Sequence, residues 1–142
     1  MVDGLLTRAA EDSVRRVLIS HPGRDSREWV AGIAGFLEPR RVEVRQVFTG
    51  SEAIGLVERG GVDAAILSTE LPRMAGWSVL RIIRSLDARL PCVMITDDAS
   101  KRTLQQALDL RAYSVVTQPV DLAALTQVVV GLFRRYFELE LE

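Results

Sequence analysis

Cysteine and histidine are almost missing from this chain: Cys92 and His21 are the sole examples among 142 residues. A lone cysteine forms no internal disulfide and builds no cysteine-rich zinc site, and a lone histidine builds no histidine metal cluster. Neither sign of charge dominates. The formal net charge is -1, the pI is about 5.9, and no basic run exceeds a pair, as at Arg40-Arg41 and Arg134-Arg135. Such pairs read as solvated surface, so no nucleic-acid footprint is expected. No apolar run approaches the roughly 18 residues of a membrane span, and no charged-then-apolar leader opens the chain. A soluble, cytoplasmic protein with no membrane contact is the expectation. Internal repeats and low-complexity linkers are lacking too. Hydrophobic residues at 48% and charged residues at 26% are ordinary values for one globular domain.

Five short apolar runs alternate with five longer amphipathic stretches. The runs are Val17 to Ser20, Val42 to Val47, Ala64 to Ser68, Cys92 to Thr96 and Ser114 to Thr117. Most are continuously apolar, which suits strands covered on both faces in a parallel sheet. Val42-Glu43-Val44-Arg45 alternates and reads as an edge strand. Helix signals lie between the runs. Asp25 with Glu28, and Thr49 with Glu52, have capping-box spacing. Pro39 stops the first helix and Gly60-Gly61 ends the second. A third helix runs over about Trp77 to Leu86, with Val79, Ile82, Ile83 and Leu86 apolar. A fourth starts near Ser100 with Leu104, Ala107, Leu108 and Arg111 in register, and a fifth starts at Asp121. Strands and helices alternating on short connections predict a doubly wound α/β fold with a parallel sheet.

The segment Asp63-Ala-Ala-Ile-Leu-Ser68-Thr-Glu-Leu-Pro72-Arg-Met-Ala-Gly76 resembles the third strand and following loop of bacterial response-regulator receiver domains. In that family the strand ends in a phosphoacceptor aspartate, with a proline four residues on and a glycine eight on. Pro72 and Gly76 stand at those offsets from Ser68. Thr96 matches the Thr or Ser after the fourth strand, and Gln118-Pro119 matches the Lys-Pro after the fifth. The resemblance implies a flavodoxin-like receiver fold over residues 16–134, with five parallel strands in the order 2-1-3-4-5. Two helices are expected on one face and three on the other. It also implies that the Gln118-Pro119 bond is cis. Residues 1–15 read as a lead that is helical or frayed, and residues 135–142 as a helix extension or tail. Too few residues follow the fifth helix for a DNA-binding output domain within this chain.

The family's chemistry does not match. Ser68 replaces the carboxylate nucleophile, and a serine hydroxyl needs a neighbouring base to attack. His21 and Pro22 replace the acids that hold Mg²⁺, a hard cation served by oxygen ligands. Gln118 replaces the lysine that neutralises the phosphoryl oxygens. The degenerate pocket therefore comprises Ser68, His21, Pro22, Glu70, Thr96 and Gln118, with no catalytic residue, no metal and no cofactor expected. Asp97, Asp98 and Glu70 crowd the same strand ends. At the switch position an aromatic of the fifth strand gives way to Val115, with Tyr113 two residues away and assigned to the same face. The expected function is an atypical receiver that is not an enzyme. It signals through a protein partner (a kinase, receiver or output domain) or a homodimer through helix four, strand five and helix five. Arg102, Gln106, Arg111 and Tyr113 would lie on that face. The alternative is a small-molecule binder using Ser20, His21, Ser68, Thr96 and Gln118 at the carboxyl ends of the strands. Against it, Ser20-His21-Pro22-Gly23-Arg24 is no glycine-rich phosphate loop.

Overall fold

All five apolar runs form strands, and the amphipathic stretches between them form helices. A computed structural model describes residues 14–21, 23 and 26–141. Its elements run β1 (Arg15–Ser20), α1 (Arg27–Leu37), a 3-10 turn (Glu38–Arg40), β2 (Val42–Val47), α2 (Gly50–Arg59) and β3 (Ala64–Ser68). They continue with α3 (Gly76–Leu86), β4 (Cys92–Thr96), α4 (Lys101–Asp109), β5 (Ser114–Thr117) and α5 (Leu122–Phe137). Every neighbouring pair of strands is parallel, in the expected order β2-β1-β3-β4-β5. β2 lies at an edge and buries only Val42 and Val47, which its alternation allows. Among the described residues no helix is long and apolar enough to cross a membrane.

Alternate residues of the strands feed two cores. Val17, Ile19, Ile66 and Val93 meet Ile33 and Leu37 of α1 and Leu125, Val129 and Phe133 of α5. Leu18, Leu67 and Met94 meet Val57 of α2 and Leu80 and Ile83 of α3, and Leu110 just past α4 joins them. Burying both faces of the sheet explains why the strand sequences carry so few polar residues. Caps hold the helix starts. The Thr49 hydroxyl accepts from the Glu52 N–H at 3.1 Å and donates to its carboxylate at 3.0 Å. Ser100 Oγ accepts from the Thr103 N–H at 3.2 Å, and Asp121 accepts from the Ala123 N–H at 3.0 Å. Gly60 and Gly61 leave α2 at φ 80° and 88°, where glycine carries no steric penalty.

Several expectations need correction or lie out of view. Asp25, expected to cap α1, and Pro22 lie outside the described residues, as does most of the 1–15 lead. Ser26 holds the N-cap position without a side-chain cap bond. α4 turns Thr103 and Ala107 inward, while Leu104 and Leu108 are 46% and 72% exposed. The reason is the support beneath α4: β5 is four residues long and lies at the sheet edge, so only a narrow stripe of the helix finds cover. Ile82 and Leu86 of α3 are likewise exposed, and Leu80 is buried in their stead.

Past α5 the chain reverses at Glu138, in the left-handed region at φ 53°. Leu141 is buried among the side chains of α1 and α5. Arg40 Nε donates to the Leu141 carbonyl at 3.2 Å and Arg40 Nη1 to the Phe36 carbonyl at 2.7 Å. Arg134 grips Glu140 through two bonds of 2.7 and 2.9 Å. Residues 138–141 therefore belong to the packed domain.

Candidate functional site

Parallel pairing brings the carboxyl ends of β1, β3, β4 and β5 to one edge, where Ser68 stands beside Ile95 and Thr96 beside Thr117. Ser68 is buried, and its hydroxyl is tied to the loop that follows. Oγ accepts from the Glu70 N–H at 3.1 Å and donates to the Glu70 carbonyl at 3.3 Å. Thr96 repeats the device one strand over. Its Oγ1 accepts from the Asp98 N–H at 3.1 Å, donates to the Asp98 carbonyl at 3.3 Å and receives the Thr69 hydroxyl at 3.1 Å. Both hydroxyls thus fold the loop after their strand, as Ser and Thr do where local backbone groups lack partners.

Gly76 is required by close approach. Its N–H donates to the Thr69 carbonyl at 2.9 Å. A Cβ on it would run into the Ser68 carbonyl oxygen and lie 2.7 Å from Thr69 Cα. The Gln118-Pro119 bond is cis, as expected. The Gln118 N–H donates to the Thr96 carbonyl at 2.9 Å, and the residue lines a cavity of about 550 Å³ with Trp29, Asp97, Pro119 and Leu122. His21 lines a different cavity, of about 430 Å³, and Thr96, Glu70 and Asp98 line a third. The polar residues expected to share one pocket are thus distributed over several.

The local charge is acidic. A hydrogen bond to Asp97, and then its charge, push the Glu70 carboxyl above the ordinary range. Bonds from the Ser100 backbone and the Thr103 and Ser100 hydroxyls hold Asp98 below it. Among the described residues no base is hydrogen-bonded to Ser68. The chain's histidine is buried between Trp29 and Phe48, and neither of its ring nitrogens has a hydrogen-bond partner among the described residues. Burial pushes the Cys92 thiol up to about 12, which removes it as a nucleophile. The donors do not fit Mg²⁺: a committed serine hydroxyl and an apolar-packed imidazole stand where hard oxygen ligands are needed. Among the described residues no group of three His, Cys, Asp or Glu is placed to hold a metal ion.

The switch position also differs from expectation. Val115 packs with the α2–α3 core. Tyr113 packs with the α1–α5 core, its ring 5.9 Å from that of Tyr136. The strand begins only at Ser114, so alternation does not extend back to Tyr113, and it does not share the face of Val115. Two contributions were invisible in sequence. Phe48 and Trp29 flank His21 from distant segments. Arg84 donates to the carbonyls of Leu110, Leu90 and Arg111 at 2.8, 2.6 and 3.1 Å, tying α3 to the segments before β4 and β5. No local pattern announces either.

Comparison with known proteins places this arrangement. The family model described as the response regulator receiver domain matches residues 24–130, starting just after the His21-Pro22 step. The regulatory protein VanRc of Enterococcus gallinarum is 28% identical over 112 residues, covering 79% of this chain and 48% of that protein. The chain therefore spans about half the length of that relative. A CheY-like receiver domain protein from Methanospirillum hungatei superposes with a TM-score of 0.75 at 23% identity, covering 87% of this chain and 96% of the other. A receiver domain crystallised with a histidine phosphotransfer signaling protein of Saccharomyces cerevisiae gives 0.73 at 20% identity, covering 90% and 96%. The fold, the glycine-dependent loop after β3 and a match over most of its length agree: the chain belongs to the response regulator receiver domain family of two-component signalling.

Proposed function

We propose that this receiver has lost aspartyl phosphotransfer and signals through protein contacts alone. The observation that carries the reading is Ser68. It stands where the family's carboxylate would accept the phosphoryl group, and its hydroxyl is spent on the Glu70 backbone. Around it, Gln118 supplies no positive charge and His21 supplies neither a metal ligand nor a base. A phosphate-driven shift between two states needs a group that stabilises one of them, and that input has no acceptor here. Incubation with acetyl phosphate and Mg²⁺ should leave the intact mass unchanged, and Ser68→Asp alone should not restore efficient transfer. A phosphoryl adduct on the unmodified chain would overturn the reading.

The contact surface proposed is the face of α4, β5 and α5. Leu104 and Leu108 stand exposed there, with Lys101 and Asp109 at opposite ends of the same helix. An apolar pair bracketed by opposite charges suits an antiparallel pairing with a second copy, in which Lys101 of one chain faces Asp109 of the other. The receiver crystallised with a phosphotransfer protein supports a different protein partner as the competing occupant: such a phosphotransfer protein, a kinase, another receiver or an output domain. The domain itself carries out no catalysis in this reading, and needs neither metal nor cofactor.

A further inference from the structure

β2 ends the sheet on one side, and its six residues all stand in unbroken register with β1. The direction of its backbone groups follows from a bond at the end of the strand. The His21 N–H donates to the Val47 carbonyl, so Val47, and with it Arg45 and Glu43, turns its backbone groups toward β1. Val42, Val44 and Gln46 turn theirs outward. Among the described residues no hydrogen bond reaches these outward groups. Sheet edges are commonly kept from pairing by proline, lysine, a bulge or a very short strand. β2 has no proline, no lysine and no bulge. Its charges are Glu43 and Arg45, two residues apart and therefore on one face. Both side chains reach solvent, with Glu43 lying 3.8 Å from Arg45 and 3.4 Å from Arg16.

We propose that a second copy of this chain pairs with β2, antiparallel, about a two-fold axis through Val44. In that register Val44 of one chain faces Val44 of the other, and Val42 faces Gln46. These are the hydrogen-bonded pairs, because the same residues carry the outward groups. Glu43 of one chain then falls opposite Arg45 of the other, in the pairs without hydrogen bonds, where side chains lie closest. The register that joins the backbones is thus the one that joins opposite charges. An axis at position 43 would set Glu43 against Glu43, and an axis at position 45 would set Arg45 against Arg45, both unfavourable. The charges therefore select one register, as a self-complementary two-fold contact requires. A single strand edge is a small contact, and exposed ion pairs add little to it. The pairing is accordingly weak, populated at millimolar protein and not at the micromolar levels used for sedimentation. It lies at the opposite edge of the sheet from β5 and depends neither on Ser68 nor on what covers α4.

The test uses the Leu108→Glu chain, in which the α4 face is disabled, and reads amide hydrogen exchange by NMR in dilute and in millimolar protein. The Val44 and Gln46 amides should exchange more slowly at millimolar protein, while the Glu43 and Arg45 amides, already bonded to β1, should not respond. In the same background Glu43→Arg and Arg45→Glu each set like charges opposite one another, and each should abolish the concentration dependence. An equimolar mixture of these two variants is complementary again and should restore it, which a purely local effect of either substitution would not do. The double reversal E43R/R45E should also restore it. If exchange at Val44 and Gln46 is the same at both concentrations, if either single reversal pairs like the Leu108→Glu chain, or if the mixture fails to recover the protection, the proposal is wrong.

Discussion

Gly76 shows how one missing methyl group shapes the loop after β3. Its backbone lies so close to Ser68 and Thr69 that a Cβ has no room, and the nearest obstacles are backbone atoms that cannot swing aside. Gly76→Ala should therefore cost about 2–3 kcal/mol, the range of an overpacked core site. Denaturant melts check this, and a loss within about 0.5 kcal/mol would show that the loop simply moves over. Glu70 gives a prediction with a sign. Its pKa is raised in the folded state, so its contribution to stability is full below the ordinary carboxylate range and fades as pH rises through the raised value. Glu70→Gln keeps a hydrogen-bond donor toward Asp97 and removes the titration. The variant should melt higher than the parent at pH 7, and the gain should shrink as pH falls below the ordinary glutamate value. Equal gains at both pH values would contradict the pairing with Asp97. The identities of Ser68, Gln118 and His21 were legible as lost chemistry because the family pattern is a matter of residue type and spacing. The surroundings of His21 were not, because Trp29 and Phe48 reach it from other segments and packing alone brings them together.

Among the elements, the strands were legible to the residue, apart from an earlier start of β1 at Arg15. Continuous apolar runs leave little choice once both faces are covered. The inward face of α4 was misread for the opposite reason. Its sequence offers leucines at helical spacing, but a short edge strand cannot cover them, so the small Thr103 and Ala107 go inside. The exposed leucines then need an occupant. Leu108→Glu should turn a dimer into a monomer in sedimentation or light-scattering measurements. Its thermal stability should stay within about 0.5 kcal/mol of the parent chain, as for a surface change. If the parent chain is monomeric at every concentration tested, a second copy is not the occupant, and the face belongs to a different protein.

At the scale of the whole molecule, the two cores are unequal at their margins. The α2–α3 side closes on itself, whereas the α1–α5 side is completed by Leu141, arriving from beyond the last helix. Leu141→Ala removes a side chain that is 3% exposed and should cost about 2–3 kcal/mol, as buried leucines do. A melting curve superimposable on the parent would mean that residues 138–141 rest on the surface without bearing on the fold. The reach of this segment was the least legible part of the sequence. Glu138-Leu139-Glu140-Leu141-Glu142 reads equally well as a helix extension or a tail, and only the left-handed turn at Glu138 sends Leu141 inward.

That turn also sets how the domain would respond to force. A tug on the chain after Leu141 does not fall first on the parallel strands, whose hydrogen bonds lie deep between helices. It falls on a leucine in its socket and on the Arg40 guanidinium, which holds the Leu141 carbonyl with one nitrogen and the end of α1 with another. The carboxyl terminus and the first helix are thus coupled like a latch and its post. Tension arriving at one is transmitted to the other before the sheet carries any load.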